Sequence, residues 1–331
     1  MKALTNHFLI TIFVFILFGC QNEATVQESE EQSGVRVGIV LSDVGLGDQS
    51  FSDSAFQGLI RARDELDITF DYRELETSGT YEQGLEELVS EDFDLIIGLG
   101  FMIKEALEST ATSNPEQQFV LIDDVSDLNN VASVTFEEHE GSFLVGAVAA
   151  LTTTSQKIGF VGGSDFPLIN KFAAGFEQGA HYVNEEIEVF IDYADDFGSP
   201  EIGEELTATM INAGADVMYA AAGLTGVGVL QEAQREEVLS VGVDSDQYFL
   251  AEDSVMTSMM KYIDQAVYQT VQSYMDGELE PEVVLGLAEN GVGLAPFRLV
   301  NEEDYLSEIS AIEKAIIDGE IIVSEMRGTS E

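Results

Sequence analysis

Apolar and polar positions along this chain follow two periods that take turns. From Val35 onward, short apolar runs of strand length alternate with stretches whose apolar residues recur at helical spacing. The runs predict strands at 35–41, 68–73, 93–98, 118–122 and 131–134, then at 157–162, 187–193, 215–221, 238–243 and 255–260. The helical spacing predicts helices at 52–66, 81–90, 102–112, 140–153, 168–185, 200–213, 226–235 and 262–276. Alternation of this length means parallel, doubly wound sheets, and two sheets of five strands fit it better than one sheet of ten. Both halves open alike, 37–41 running into a loop with Gly45 and 158–161 into Gly162 and Gly163. The last thirty residues add a helical pattern (Leu306, Ile309, Ile312, Ile316) and a short apolar run at 321–323.

The stretch that organises the chain is 41–59. It leaves the first strand, passes Gly45 and Gly47, and enters a helix whose apolar positions are Ala55, Phe56, Leu59, Ile60 and Leu66. Ser50 and Asp53 have capping-box spacing, which predicts a helix start near Phe51. A loop at the carboxyl end of a strand, leading into a helix N-terminus, is where open α/β sheets bind ligands. Backbone N–H groups there are unpaired, and Phe51 offers a flat apolar face.

Ahead of this lies residues 8–18, an apolar run that follows Lys2 and is short for a membrane span. That is the grammar of a signal peptide. It ends at Cys20, the only cysteine, and the run resembles a bacterial lipobox, although the region before it has a single lysine and Phe18 is bulkier than the usual residue. The expectation is a signal peptide over 1–20, a lipid on Cys20 that anchors the protein to the outer face of the cell membrane, and a polar tether over 21–34. With Cys20 so used, no thiol remains for a disulfide or for catalysis.

Charge and composition narrow the function. Sixty-two acidic residues stand against 13 basic ones, a formal charge of −49. Nucleic acid is excluded as a partner, because phosphate binding needs clustered Lys and Arg. Hydrophobic residues at 45% exclude a disordered acidic chain, and the acidic surface suits high salt, where screening is strong. Of three histidines, His7 lies in the signal segment, and His139 and His181 lack partners at metal-ligand spacing. No nucleophile elbow, Walker loop or dinucleotide fingerprint is present. A calcium-assisted hydrolase would need several carboxylates on one ion, and Asp244 with Asp246 alone does not supply them. Two aspartates stand apart from the many acidic pairs: Asp123 and Asp244 each directly follow an apolar strand. Lys261, one of six lysines, closes another. A lysine there can hold the charge of neighbouring carboxylates and donate to a ligand.

These parts occur in a familiar order. After the lipobox come Asp48-Gln-Ser50-Phe51, the run 119–124 ending in Asp123 and Asp124, and the run 136–143. Gly175-Phe-Glu-Gln-Gly179, Ala222-Gly-Leu-Thr-Gly226, the run 242–247 and the run 257–261 ending in Lys261 follow. Over roughly residues 35–300 the chain resembles the basic membrane protein family of bacterial substrate-binding lipoproteins. Its best understood branch binds purine nucleosides for an ABC importer.

The resemblance implies a type I periplasmic-binding-protein fold of class α/β, two doubly wound parallel-sheet lobes joined by a three-strand hinge. Crossovers would fall near residue 137, after Lys261 and near Pro281, giving lobes of 35–137 with 262–280 and 138–261 with 281–331. It implies a purine between aromatic faces, Phe51 and Tyr219, with Asp43, Asp48, Asp123, Asp244 and Lys261 supplying polar contacts and Gly223 letting the backbone approach. Ser52 stands where the family commonly has asparagine, which bears on the base. Permease and ATPase subunits are the implied partners, with no cofactor and no bond-making step, and a monomer is expected. The alternative on the same fold is a surface sensor or adhesive antigen with a different ligand.

Overall fold

The computed structural model of the chain describes residues 34–300 and 302–328. The apolar run 8–18, Cys20 and the tether up to residue 33 lie outside the described residues. Two six-stranded sheets carry the fold. The first holds β1 (Arg36–Val40), β2 (Thr69–Arg73), β3 (Leu95–Leu99), β4 (Gln118–Ile122), β5 (Val131–Phe136) and, from far along the chain, β11 (Glu282–Leu285). Its order is β11-β5-β4-β3-β1-β2. The second holds β6 (Lys157–Gly162), β7 (Glu188–Tyr193), β8 (Val217–Ala221), β9 (Leu239–Asp244), β10 (Val255–Lys261) and β12 (Val292–Leu294), in the order β12-β10-β9-β8-β6-β7. All pairings are parallel except β10 with β12.

The strands read as their positions require. Central β3, Leu-Ile-Ile-Gly-Leu, is buried throughout because helices cover both faces of a parallel sheet. The edge strands β2 and β7 are only half-buried and carry Asp71 and Asp192, charges that discourage edge-to-edge pairing.

Helices alternate with the strands: α1 (Phe51–Leu66), α2 (Leu75–Ser78), α3 (Tyr81–Ser90), α4 (Lys104–Ser113), α5 (Glu138–Thr152), α6 (Pro167–Val183), α7 (Pro200–Asn212), α8 (Gly223–Arg235), α9 (Ile263–Asp276) and α10 (Glu302–Ile317). In the second lobe α5 and α6 touch backbone to backbone. A Cβ at Gly179 would lie 1.9 Å from the Phe143 carbonyl oxygen, and one at Gly175 would lie 2.1 Å from that of His139. The Gly175-x-x-x-Gly179 spacing is thus a packing device, one small residue per turn on the face that meets α5.

The chain passes between the lobes three times. It leaves the first sheet after β5, at Glu137, and returns after β10, at Tyr262, to lay α9 against α1. The third crossing comes at 286–291, after β11, and not near Pro281. The expected boundary is therefore corrected by about five residues: Glu282 to Leu285 pair in register with Ser133 to Phe136 and extend the first sheet. The run Glu-Val-Val-Leu is too short and too exposed to announce a strand from sequence. From β12 onward the chain belongs to the second lobe. There Ile309, Ile312 and Ile316 of α10 are buried, and Ser324 and Arg327 bond to Gln178 and Glu177 of α6. Among the described residues no helix is long and apolar enough to cross a membrane.

Candidate functional site

Between the carboxyl edges of the two sheets lies a cavity of about 650 Å³, its opening to solvent included. That is within the ordinary range for small-molecule sites. Asp43, Asp48, Phe51, Asp123, Gly223, Asp244 and Lys261 all line it. Tyr219 and Ser52 do not.

The end of the cavity nearest the crossings is built from charge. Lys261, the last residue of β10, is buried, with its Nζ 2.7 Å from Asp123 Oδ2 and 3.0 Å from Glu138 Oε1. Asp123 stands one residue past β4, Asp244 ends β9, and Glu138 opens α5 with no exposed surface. Both aspartates have left-handed backbone, φ 75° and 63°, which few non-glycine residues adopt. Such conformations gather where function constrains the chain. Three rings surround the ammonium: Phe136, Phe51 and Phe172, with centroids 4.8, 5.1 and 5.8 Å from Nζ.

Three carboxyls thus share one ammonium. Burial raises the Glu138 carboxyl, with Lys261 acting against the rise and Asp123 adding to it. Burial raises Asp244 in the same way, opposed by Lys261 and by the Ser50 hydroxyl. For Lys261 burial acts downward, yet the three carboxylates together hold the ammonium above its ordinary range. Asp123 Oδ1 has no donor, although it is buried beside the cavity.

The loop before α1 departs from the expected capping box. The helix starts at Phe51, but Asp48 caps it, accepting from the N–H groups of Ser50 (3.0 Å), Ser52 (2.7 Å) and Asp53 (3.2 Å). Burial still pushes the Asp48 carboxyl up to about 6, against those three bonds. Asp53 folds back onto the N–H groups of Gly47 and Gln49. Ser50 is thereby free to donate across the cleft to Asp244 Oδ2. The Gln247 amide reaches the Gln49 carbonyl (2.9 Å) along the same seam.

Two expected contacts are corrected. Tyr219 is wholly buried in the second lobe, packed against Phe160 and Phe176, with its hydroxyl 3.0 Å from Ser142 Oγ. It sits in the middle of β8, so its ring points between sheet and helix and never reaches the strand's end. Ser52 lies in the first buried turn of α1, its Oγ 2.7 Å from Ser42 Oγ. Its side chain meets the floor of the loop rather than the cavity.

The apolar walls missed in the sequence are Phe101, Phe172 and Phe197. Phe197 lies where a Cβ on Gly163 would be, 2.2 Å from that position, and its carbonyl is 3.2 Å from the corresponding point on Gly223. The Gly162-Gly163 pair was the available signal, since paired glycines at a strand end mark something bulky close to the backbone. At the mouth, Phe101 of the first lobe stacks on Phe166 of the second, with centroids 4.2 Å apart and planes 15° from parallel. Tyr81, at the start of α3, lines the cavity near Asp43, and its hydroxyl is buried with no partner.

A family model described as "ABC transporter substrate-binding protein PnrA-like" matches residues 35–327. Among curated relatives, a CD4+ T-cell-stimulating antigen of Listeria monocytogenes is 33% identical over 87% of this chain and 88% of its own length. Basic membrane protein B of Borreliella burgdorferi is 31% identical over 95% and 94%. A protein of Lactococcus lactis named "ABC transporter nucleoside-binding protein BmpA" is 31% identical over 94% and 95%. Among solved structures, an ABC transporter solute-binding protein from Aeropyrum pernix superposes with a TM-score of 0.80 at 27% identity, covering 88% of this chain and 94% of that one. A Bacillus halodurans transcriptional activator of the comK gene superposes at 0.76 with 22% identity, over 87% and 100%, which shows the fold alone.

Proposed function

The chain belongs to the PnrA-like family of ABC transporter substrate-binding proteins, and from that premise we propose that it binds a purine nucleoside in the interlobe cleft. Its family is one of binding proteins, not enzymes. The observation that carries the cargo is that one cavity joins a buried carboxylate–ammonium cluster to aromatic walls. The orphaned Asp123 Oδ1 there asks for a donor.

In this reading the ribose lies at the hinge end. A vicinal diol donates twice, and the carboxyl oxygens of Asp123 and Asp244 can accept. Lys261 donates to Asp123 Oδ2 and lies 3.0 Å from Glu138 Oε1, and its ammonium has a proton left for a ligand oxygen. The base lies against Phe51, with Phe172 and Phe197 forming the other apolar surfaces. The name of the Lactococcus relative supports the same cargo.

Delivery follows from the three crossings. The bodies 34–137 with 262–285 and 138–261 with 286–328 swing about Glu137, Tyr262 and the 286–291 segment. Ligand held on one lobe recruits the other, and the closed form is what the permease and ATPase recognise. A lipid on Cys20 keeps the protein, a monomer, at the outer face of the membrane.

The test is a thermal-shift titration of residues 21–331 with inosine, guanosine, adenosine, free bases, sugars and amino acids. A ligand at a hundred times its Kd adds about 2.7 kcal/mol to the stability of the bound state. A shift with nucleosides that disappears in Asp244→Ala supports the reading. A shift with sugars or amino acids alone overturns the cargo, and no shift at all favours a sensor or adhesin.

A further inference from the structure

The end of the cavity away from the hinge holds two polar groups that the ribose contacts leave unused. Asp43 lies three residues past β1, open to solvent inside the cleft, and Tyr81 begins α3. The Tyr81 hydroxyl is shut away from solvent and has neither donor nor acceptor within reach. A buried hydroxyl without a partner costs free energy, so a protein that keeps one beside a ligand cavity gains the partner when the ligand arrives. Resting on the nucleoside reading, we infer that Tyr81 is a specificity-determining residue. Its hydroxyl, with the Asp43 carboxylate, hydrogen-bonds the six-membered edge of the base and selects an edge that presents an N–H donor beside an acceptor.

Distance along the sheet supports this placement. Asp123 follows β4 and Asp43 follows β1, and β4, β3 and β1 are consecutive neighbours. Two strand spacings separate them, about 10 Å, which matches the length of a purine nucleoside from its ribose diol to its six-membered edge. A ligand whose ribose meets Asp123, Asp244 and Lys261 therefore presents that edge to Asp43 and Tyr81, and Phe51 and Phe101 line the same cavity. The chemistry is complementary: the carboxylate only accepts, and the phenol has one proton to give. Inosine offers N1–H and the 6-oxo group at that edge. Purine riboside, with the same ribose and ring but no 6-substituent, offers an acceptor alone. Ser52 fits the same picture, because its side chain is turned onto Ser42 and leaves the base edge to other residues. Partial enclosure by the cleft walls raises both the Asp43 carboxyl and the Tyr81 phenol. Burial thus favours the protonated phenol, which is the form that donates.

Isothermal titration of inosine and purine riboside into wild type and Tyr81→Phe, with thermal melts of both ligand-free proteins, tests the inference. Wild type should bind inosine at least tenfold more tightly than purine riboside. Tyr81→Phe should weaken inosine about tenfold, the worth of one hydrogen bond in a dry site, and change purine riboside less than threefold. The ligand-free Tyr81→Phe melt should stay level or rise, since the substitution removes an unpaired buried hydroxyl. A merely structural role would lower it. Equal weakening of both ligands, no weakening of either, or a lower ligand-free melt overturns the role of Tyr81 while leaving the nucleoside reading in place. Failure of wild type to bind either nucleoside, with binding of some other solute, removes both.

Discussion

Replacing Lys261 by methionine should turn the hinge end of the cleft into a pH-dependent weakness. The side chain keeps its unbranched stem and loses the terminal ammonium, and the carboxyls of Asp123, Glu138 and Asp244 are left buried with no cation among them. At an effective dielectric near 20, each contact of 2.7 to 3.0 Å represents roughly 6 kcal/mol of gross attraction. Desolvation cancels most of that, and removing one partner of a buried pair costs about 3–5 kcal/mol net. The sign of the pH dependence follows from the direction of the shifts. Burial already raises Glu138 and Asp244, and Lys261 is the group that opposes the rise in both. Without it their folded-state values climb further, so the folded variant binds more protons than its unfolded chain. Its stability is then fully present below the ordinary carboxyl range and is lost as pH rises through the raised values. Urea unfolding followed by circular dichroism at pH 5, 6.5 and 8 should show a deficit against wild type of about 3–5 kcal/mol at pH 8. At pH 5, toward which the raised Glu138 and Asp244 carboxyls take up protons, the deficit should be clearly smaller. In a domain of this size the larger figure corresponds to roughly 10 °C or more in Tm. A deficit that is the same at all three pH values would refute the charge argument and leave only a packing effect.

Three further outcomes are expected. Tyr219→Phe removes the bond to Ser142 and should cost about 1 kcal/mol in urea unfolding with nucleoside affinity unchanged; a tenfold loss of affinity would return Tyr219 to the cleft. Phe166→Ala removes the stack on Phe101 across the mouth, worth about 0.5–1.5 kcal/mol. Nucleoside dissociation measured by surface plasmon resonance should speed up about 2- to 12-fold, and an unchanged rate would mean that the stack holds nothing closed. Gly179→Ala drives a methyl group into the Phe143 carbonyl and should cost at least about 2 kcal/mol through separation of α5 from α6. A melt lowered by less than 1 °C would show that the helices part freely.

Much of the fold was legible because parallel sheets write themselves as continuous apolar runs. Central strands such as Leu95–Leu99 and Val217–Ala221 have no polar residue that could confuse their period, tyrosine apart. What stayed hidden was β11 and β12. One is four residues of which none is fully buried, the other is three residues, and each is fixed by its neighbour in the sheet rather than by its own pattern. The capping of α1 misled for a related reason. Ser50 and Asp53 have the right spacing, but Asp48 satisfies the same N–H groups from outside the helix, and Asp244 in the other lobe takes the Ser50 hydroxyl. A contact 194 residues away along the chain leaves no trace in a local motif.

The site residues separate by a rule that the sequence already contained. In a doubly wound sheet the ligand lies outside the carboxyl ends of the strands, so polar side chains reach it from the last strand residue or beyond, and Val243 comes within one residue of that edge. Asp43 stands three residues past β1, Asp123 one past β4, Gly223 two past β8, and Asp244 and Lys261 are themselves strand ends. All five line the cavity. Tyr219 is the third residue of a five-residue strand, two short of the edge, and its ring went to the core. Applied in advance, the same rule points to the segments after β3 and β7, where Phe101 and Phe197 supply the aromatic walls that Tyr219 does not. Leu168, Ile169, Phe172 and Tyr81 escape it. They enter from helices, at positions fixed by how α3 and α6 lie over the cleft, and no spacing along the chain encodes that.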